Sequence, residues 1–563
     1  TQWAGFSAPP TNGVNTDVFI EGSDSSPDLQ DIFNNNVAYD IDTITLASGY
    51  SGGSTMALSG GTLTVDNFIA NEKNGVQLEF NQVVRMGGLN GLNVNANDDD
   101  IDFDAAVDFR LNEQTLSVSG GNNVLFDGGI TDSQNFISNA TLSISGGTFA
   151  RLSDSASVLT KVNIFNGELA LSAASPLNSI VNIDIFSNGT FDLNNNNENI
   201  DVLTGSGSVD LGSATLTFGE SASVDASFTF SGVISGSGGI TKNQSGETVL
   251  SGANTYSGAT TIDNGVLRTS GDHRIGNSSD IIVNASGTFD INGNQETVDS
   301  ISGSGDIKLG SGGLLRVDQN GGSYTFSGNI SENGELEKDG SATLTLSGNN
   351  SFSLLDIDIG TVQVSSQNNL GTGSVQLSGG TLNVTASFTN SLAIETNAAN
   401  STINVNNATT LTQTGVISGS GELVKDGQGA LILSATNSYT GNTEVNDGAL
   451  RYTGSNRISN SSDLVISQGA LVQMQNFTDT VSSLSGDGQI STGGSSGRLT
   501  VNLDSPATIN WDGAITGSGG LTKSGTHTMN ITAAQTFTGA ANINEGTLSF
   551  SGAGSFSSSR DVS

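Results

Sequence analysis

The chain has 563 residues, of which 75 are Gly, 5 are Pro and none is Cys, and its formal net charge is −38. A strongly negative chain repels nucleic acid and anionic membrane surfaces, so its charge argues against both as partners. Without Cys it forms no disulfides and performs no thiol chemistry, which fits a secreted bacterial protein. No apolar run reaches the roughly 20 residues of a membrane helix, so we expect no membrane insertion of this segment.

The composition predicts strands and turns. Helix-favouring residues are scarce, while Val, Ile, Thr and Phe recur between Gly, Asn and Asp. Disorder is the alternative for such a Gly-, Ser- and Asn-rich acidic chain. Clean alternation of polar and apolar residues over 343–346 and 361–364 disfavours disorder, because period-2 alternation is what a half-buried strand requires.

Residues 1–167 show the same pattern of short apolar strands between Gly- and Asn-rich turns, as in the segment GGTLTV at residues 60–65, but they contain no clear long repeat. We interpret them as degenerate coils of a repeat structure. Trp3, Phe6, Pro9 and Pro10 are candidates for a cap over the end of the stack, because solenoid ends need protection against edge pairing. Whether these residues form a separate head is left open.

A long repeat organises residues 168–548. The block FSGVISGSGGITKNQSGETVLSGANTYSGATTIDNGVL at 230–267 returns at 413–450, and weaker copies cover 326–362 and 511–548. Four equivalent lysines mark the copies: Lys242, Lys338, Lys425 and Lys523. We therefore divide this region into super-repeats at about 168–267, 268–362, 363–450 and 451–548, followed by a Ser/Gly-rich end at 549–563.

These units predict an all-β fold, a right-handed parallel β-helix (β-solenoid) in the form of an elongated rod. Each repeat contains several short strands separated by turns, and a stack of coils buries each apolar face against its neighbours. Antiparallel sandwich domains arranged as beads are the alternative. The units lack Pro-rich linkers and vary in length by several residues, which a continuous coil accommodates at its turns. Asn at the turns is expected to form ladders between coils.

The block at 230–267 resembles the autotransporter-associated β-strand repeat. The resemblance rests on GSGGITK at 236–242, TVLSGANTYSG at 248–258 and NGVL at 264–267, with Tyr256, Phe352, Tyr439 and Phe537 at the aromatic position of the four copies. It implies a secreted β-helix on a bacterial surface, with the repeat associated with transport and folding of the passenger. The second copy departs from it at 351–362, where we expect a different turn.

Asp98, Asp99, Asp100, Asp102 and Asp104 form the densest acidic run. Carboxylate oxygens suit a hard cation, so we take Asp98, Asp100, Asp102 and Asp104 as candidate calcium ligands, the one cofactor we consider. The run lacks EF-hand spacing, and a solvated loop is the alternative.

No catalytic constellation emerges from the sequence. His273 and His527 occupy non-equivalent places, and a catalytic His needs specific partners. The pattern GGSSG at 493–497 matches a serine nucleophile elbow, which works only on a strand-to-helix turn and is expected by accident in a Gly/Ser-rich chain. We therefore expect no catalytic residue.

The function we expect is that of a non-enzymatic extracellular protein on a bacterial cell surface: a structural fibre, spacer or adhesin. Its partners would be a host or surface glycan or protein, or other copies of itself joined end to end into filaments, because an unpaired coil edge is a template for the next chain. A polysaccharide-degrading β-helix enzyme is the alternative. Only 17 Lys and Arg and 2 Trp leave few groups to clamp an acidic sugar or stack on one.

Overall fold

The computed structural model describes residues 17–20, 39–46, 55–58, 63–71, 77–80, 83–86, 92–97, 99–109, 114–131, 139–153, 158–173, 176–177, 179–219, 227–504 and 508–556. The chain divides into two compact units, Thr1–Asp290 and Ile291–Ser563. The candidate cap residues and Asp98 lie outside the described residues. The proposed boundaries at 167 and 548 stay predictions.

The described strands of the first unit are short, with four longer than nine residues. They are β1 (Asp17–Ile20), β2 (Tyr39–Leu46), β3 (Thr55–Leu58), β4 (Leu63–Asn71), β5 (Gln77–Phe80), β6 (Val84–Met86), β7 (Leu92–Ala96), β8 (Ile101–Phe103), β9 (Val107–Asp108), β10 (Thr115–Ser119), β11 (Asn123–Phe126), β12 (Ile130–Thr131), β13 (Ala140–Ile144), β14 (Thr148–Leu152), β15 (Leu159–Leu171), β16 (Asn182–Asp192), β17 (Glu198–Ile200), β18 (Val202–Gly205), β19 (Ser208–Asp210), β20 (Leu216–Phe218), β21 (Phe228–Phe230), β22 (Val233–Ser235), β23 (Ile240–Lys242), β24 (Glu247–Leu250), β25 (Thr260–Thr269) and β26 (Ile281–Asp290).

The described part of the second unit also consists of short strands, together with one short 3-10 helix, Gln367–Leu370. Its described strands are β27 (Gln295–Val298), β28 (Ile301–Gly303), β29 (Asp306–Lys308), β30 (Leu314–Val317), β31 (Ser323–Phe326), β32 (Ile330–Ser331), β33 (Glu335–Lys338), β34 (Thr343–Leu346), β35 (Leu354–Ile357), β36 (Thr361–Val364), β37 (Ser374–Leu377), β38 (Thr381–Val384), β39 (Phe388–Asn390), β40 (Ile394–Thr396), β41 (Thr402–Val405), β42 (Thr410–Gln413), β43 (Ile417–Ser418), β44 (Leu423–Asp426), β45 (Ala430–Leu433), β46 (Thr443–Val445), β47 (Ala449–Tyr452), β48 (Asp463–Ile466), β49 (Leu471–Gln473), β50 (Thr478–Val481), β51 (Ser483–Gly486), β52 (Gln489–Ser491), β53 (Arg498–Asn502), β54 (Ile509–Trp511), β55 (Ala514–Thr516), β56 (Gly520–Ser524), β57 (Thr528–Ile531), β58 (Ala534–Gln535), β59 (Ala541–Ile543), β60 (Thr547–Phe550) and β61 (Ser555–Phe556).

Within each unit, strands pair in parallel with the strand one turn further along the chain. In the first unit β10 pairs with β13, which places Leu116 beside Leu142. In the second unit β36 pairs with β38, which places Val362 beside Leu382. One turn therefore takes about 20 to 26 residues at these two points. The prediction of an all-β parallel β-solenoid is confirmed, and none of the described helices is long and apolar enough to cross a membrane.

The core is a set of columns, because alternate residues of each strand point inward and the parallel register stacks like on like. In the first unit the rings of Phe80, Phe103 and Phe126 stack, with centroids 5.0 and 5.4 Å apart. In the second unit Leu344 stacks on Val362, and both are fully buried. This stacking matches the apolar alternation that predicted the strands.

Amide side chains link the coils of the second unit both at turns, as the sequence predicted, and on the strands. At the turns Asn368 Nδ2 donates to Asn349 Oδ1 (3.3 Å), one coil earlier. A second ladder lies on the strands. Gln363 Nε2 donates to Thr345 Oγ1 (3.3 Å), Asn383 Nδ2 to Gln363 Oε1 (3.0 Å) and Asn404 Nδ2 to Asn383 Oδ1 (2.6 Å). These residues are half-buried on the outward side of β34, β36, β38 and β41. A repeated amide at the same register lets each coil satisfy the next.

Candidate functional site

One lysine in each repeat is buried and donates to backbone carbonyl oxygens. Lys425 Nζ lies 2.8 Å from the carbonyl oxygen of Asp426, 2.6 Å from that of Gly427 and 3.0 Å from that of Asp447, one coil further on. The other three lysines make a bond equivalent to the one between Lys425 Nζ and the carbonyl oxygen of Gly427. Lys242, Lys338 and Lys523 donate to the carbonyl oxygens of Gln244, Gly340 and Gly525 respectively. Burial lowers the pKa of Lys425 to about 8, so the ammonium keeps its charge at neutral pH and ties the turn to the next coil.

A second repeated side chain bridges three coils. Asn437 Oδ1 accepts from the backbone N–H of Ile417 at 2.8 Å, and its Nδ2 donates to the carbonyl oxygen of Arg457 at 2.7 Å. Each of those residues is 20 positions away, one coil before and one coil after. Asn254 and Asn350 make the same pair of bonds in the first two copies. Sequence reasoning included this Asn in the motif and assigned it no role.

The aromatic position is fully buried in every copy and differs in its hydrogen bonding. Tyr439 Oη lies 2.6 Å from Thr443 Oγ1, which lies 2.9 Å from Ser462 Oγ in the next coil. The copy that carries Tyr256 has the same network at the same distances. In the copy that carries Phe352, Leu355 occupies the position equivalent to Thr443. Leu336 and Leu423 are equivalent residues, each two positions before the repeat lysine, and they pair with Leu355 and Thr443 respectively.

A matched pair of substitutions tests this network. Tyr439→Phe removes one buried hydrogen bond, and we expect it to lower the free energy of unfolding by about 1 kcal/mol. Phe352→Tyr places a hydroxyl beside Leu355, and we expect a larger loss of about 2 kcal/mol from the unpaired group. Denaturant unfolding of both variants measures the difference. If Phe352→Tyr costs less than Tyr439→Phe, the network does not set the choice of aromatic.

The second copy has the different turn that its sequence predicts. In the first copy the Ser257 N–H donates to the carbonyl oxygen of Gly236 at 3.0 Å. In the second copy the Ser353 N–H donates instead to the carbonyl oxygen of Gly334 at 2.9 Å. Glu332 stands at the position of Gly236, in the left-handed region at a φ of 73°. The turn is therefore shortened, and a residue that ordinarily avoids this conformation replaces a glycine.

Two buried carboxylates in equivalent coils were missed by sequence reasoning. Glu198 is fully buried and accepts from the backbone N–H groups of Leu177 at 3.3 Å and Asn199 at 2.9 Å. Asp479 is 1% exposed and accepts from three backbone N–H groups, those of Arg457, Ile458 and Thr480. Burial raises the pKa of Glu198 to about 7 and that of Asp479 to about 6, because burial penalises the charged form.

The described acidic residues of the run at 98–104 have different partners in the structure. Asp100 is used within the coil stack, since its two carboxylate oxygens accept from the backbone and side-chain nitrogens of Asn123 at 3.0 and 3.1 Å. Asp99 accepts from the Asp100 N–H at 2.9 Å. Of the four candidate ligands, Asp102 and Asp104 lie together, and Asp98 falls outside the described residues.

Asp102 and Asp104 meet Asp127 of the next coil. Carboxylate oxygens of the three residues, one from each, all lie within 4.8 Å of one another. Asp102 of β8 also pairs with Glu79 of β5. Burial and then the charges of Asp104, Asp127 and Glu79 raise the pKa of Asp102 to about 6, and Arg151 opposes them. We call Glu79, Asp102, Asp104 and Asp127 the acidic cluster.

The residues of the acidic cluster could have been found from the coil length. Asp104 and Asp127 directly follow Phe103 and Phe126, which stack on one another. Asp102 follows its pairing partner Glu79 by the same number of positions, 23, as Asp127 follows Asp104. Acids that recur at one coil length come together in a solenoid, whereas neighbours in sequence point to opposite sides of a strand.

The histidines and the elbow pattern lie in turns. His273 is exposed with a φ of 54°, and His527 Nδ1 lies 3.2 Å from the carbonyl oxygen of Leu503. Ser496 Oγ donates to the carbonyl oxygen of Asn476 at 3.1 Å, within a turn that leads into the strand β53 and not into a helix. The geometry of a nucleophile elbow is thus missing at this described turn.

Comparison with known proteins identifies the repeat. The family model described as the passenger-associated-transport repeat matches residues 240–268, 336–353, 423–451 and 521–550. The second match is the shortest and ends directly after Phe352, at the shortened turn. The matched segments contain the buried lysines, and three of the four extend through the coil that follows the aromatic. No solved structure matches the chain.

A curated relative matches over a longer stretch. The chain is 34% identical over 353 residues to a protein named "Adhesin BmaC autotransporter" from Brucella suis biovar 1 (strain 1330). The match covers 57% of this chain and 10% of the relative, so the chain spans about a tenth of that protein's length. With its four matched repeats and its parallel β-solenoid, the chain is an autotransporter passenger-type repeat protein.

Proposed function

We propose that the chain is a non-enzymatic segment of a bacterial surface passenger, which acts as a fibre or spacer and as an adhesin. The observation that carries this proposal is the use of the repeat's distinctive residues. Three of these residues are buried and take part in hydrogen bonds that hold the coils together: Lys425, Asn437 and Tyr439. The polar groups of the repeat therefore stabilise the coil stack. The relative named an adhesin supports the same role. The surface location and a glycan or protein partner on the host belong to this proposal.

Two measurements test the role together: the adherence of bacteria that display the chain and the hydrolysis of polysaccharides by the chain. The 563-residue chain would be displayed on a non-adherent bacterium, with a passenger of similar size and unrelated fold as the control. We expect more bacteria to bind a cultured epithelial layer when the chain is displayed, and no release of reducing ends from acidic or neutral polysaccharides. Adherence equal to the control contradicts the adhesin role, and steady release of sugar ends would establish the polysaccharide-degrading alternative.

End-to-end association is a further part of the proposal. An unpaired coil edge offers backbone N–H and C=O groups to a second copy, which supports filament growth. Electron microscopy of the purified chain at increasing concentration separates the possibilities. Long unbranched fibres are the expected result, and isolated particles of one length at every concentration would rule out the filament.

A further inference from the structure

The acidic cluster is held by three successive coils of the first unit. Glu79 lies on β5 and Asp102 on β8, while Asp104 and Asp127 directly follow β8 and β11. Main-chain bonds fix both of the latter positions, since the Ala105 N–H donates to the carbonyl oxygen of Phe80 at 3.3 Å and the Gly128 N–H to that of Phe103 at 2.9 Å. The carboxylates are therefore positioned by the stack and not by a flexible loop.

Asp102 carries an oxygen that the protein leaves unsatisfied. The residue is 9% exposed, and its Oδ1 is buried and accepts no hydrogen bond. Its Oδ2 accepts from Gln77 Nε2 at 3.1 Å. A buried carboxylate oxygen without a donor is costly, and it becomes stable when it coordinates a cation. The side chain is turned toward the cluster, because one of its carboxylate oxygens lies within 4.8 Å of an oxygen of both Asp104 and Asp127.

We propose that Asp102, Asp104 and Asp127 bind a calcium ion. The carboxylate of Glu79 beside them adds a fourth negative charge to the site. Calcium takes oxygen ligands at about 2.3–2.6 Å, so ligands on opposite sides of the ion are about 5 Å apart, which suits oxygens within 4.8 Å of one another. Arg151 Nη2 lies 3.6 Å from Asp127 Oδ1 and balances one of the four acidic side chains. The bound ion ties two successive coils together, a property independent of the adhesin role.

The outer face of the second unit shows how the solenoid treats acids when it supplies its own cation. Glu337 and Asp356 are adjacent there, since Glu337 of β33 pairs with Asp356 of β35. Arg316 bonds to Glu337 at 2.9 Å and to Asp339 at 3.1 Å, and Asp356 Oδ1 accepts from Ser378 Oγ at 3.0 Å. These acids leave no buried carboxylate oxygen without a hydrogen-bond partner, whereas Asp102 does. This face therefore serves as an internal control for a non-specific response of an acidic surface.

Calorimetric titration of the 563-residue chain with calcium chloride at neutral pH and physiological salt tests the proposal. We expect one saturable site with a Kd of about 10⁻⁴ to 10⁻³ M, the range of extracellular calcium modules. Magnesium should bind at least tenfold more weakly, because it needs shorter bonds in a stricter geometry. Calcium should also raise the melting temperature of the chain.

Three single substitutions complete the test. Asp102→Asn and Asp127→Asn should each weaken calcium binding at least tenfold, while Asp356→Asn on the second unit should leave the Kd unchanged. Circular dichroism checks the fold of each variant, and the more exposed Asp127 guards against loss of folding at Asp102. The proposal is overturned if the unsubstituted chain gives no saturable heat, if magnesium binds equally well, or if folded Asp127→Asn binds calcium as before.

Discussion

Replacing Gly232 with Ala should destabilise the first unit by about 3 kcal/mol or more, because the solenoid leaves no room for a side chain there. A Cβ at Gly232 would lie 1.7 Å from the carbonyl oxygen of Gly207 in the preceding coil. A Cβ at Gly252 in the next coil would meet the carbonyl oxygen of Gly232 at the same distance. These three glycines form a column in which one backbone touches the next.

The expected cost of Gly232→Ala is steric and not conformational. The φ of Gly232 lies outside the left-handed region, so Ala can adopt the backbone angles. Relief of the clash requires the neighbouring coil to move by more than about 1 Å, against parallel strands spaced about 4.8 Å apart. That displacement would strain the pairing of Val233 with Ser208.

Gly147→Ala is the matched control in the same unit. A Cβ there meets no atom within 4 Å, and its φ of 79° is the only obstacle, so we expect a loss of about 1 kcal/mol. Hydrogen exchange measured by mass spectrometry should show faster exchange around β19 and β22 in Gly232→Ala, because damage in a solenoid spreads first to adjacent coils. Equal losses of stability in the two variants would contradict the close-packed column.

The fold was predictable because a solenoid repeats a local rule. The alternation of polar and apolar residues over 343–346 predicts which side chains point inward. The recurrence of the block at 230–267 indicates that each coil stacks on a similar coil. Lys242 and Tyr256 stood out as repeated positions in the sequence, and in the structure both form hydrogen bonds within the coil stack. Each is a single residue whose recurrence is visible in the sequence.

Contacts between coils were not predictable in the same way, because they depend on the length of each turn. Asn254 reaches residues 20 positions away on both sides, whereas the Asn123 side chain reaches Asp100 at a separation of 23. A difference of one residue in a turn moves a side chain to the other face of a strand. The calcium prediction therefore grouped acids that are adjacent in sequence, whereas the coil length brings Asp127 close to Asp102 and Asp104.

Acidification from pH 8 to pH 5 should stabilise both units, with a higher melting temperature at the lower pH. The pKa of Glu198 in the first unit is about 7 against an ordinary value of 4.5, and the pKa of Asp479 in the second is about 6 against 3.8. Because each folded pKa is raised, the folded chain binds more protons than the unfolded chain between these values. The stability that protonation contributes is full below the unfolded pKa and is lost as the pH rises through the folded one.

Glu198→Gln removes the titrating group. Its amide oxygen can accept from only one of the N–H groups of Leu177 and Asn199, because these bond to different carboxylate oxygens of Glu198. A shift of the size seen for Glu198 corresponds to about 3 kcal/mol at most. The melting temperature of the variant should therefore change less between pH 8 and pH 5 than that of the unsubstituted chain. Melting followed by circular dichroism across this range measures both curves. A melting temperature that falls steadily from pH 8 to pH 5 in the unsubstituted chain would show that Glu198 and Asp479 remain charged in the folded state, held by their backbone donors against the penalty of burial.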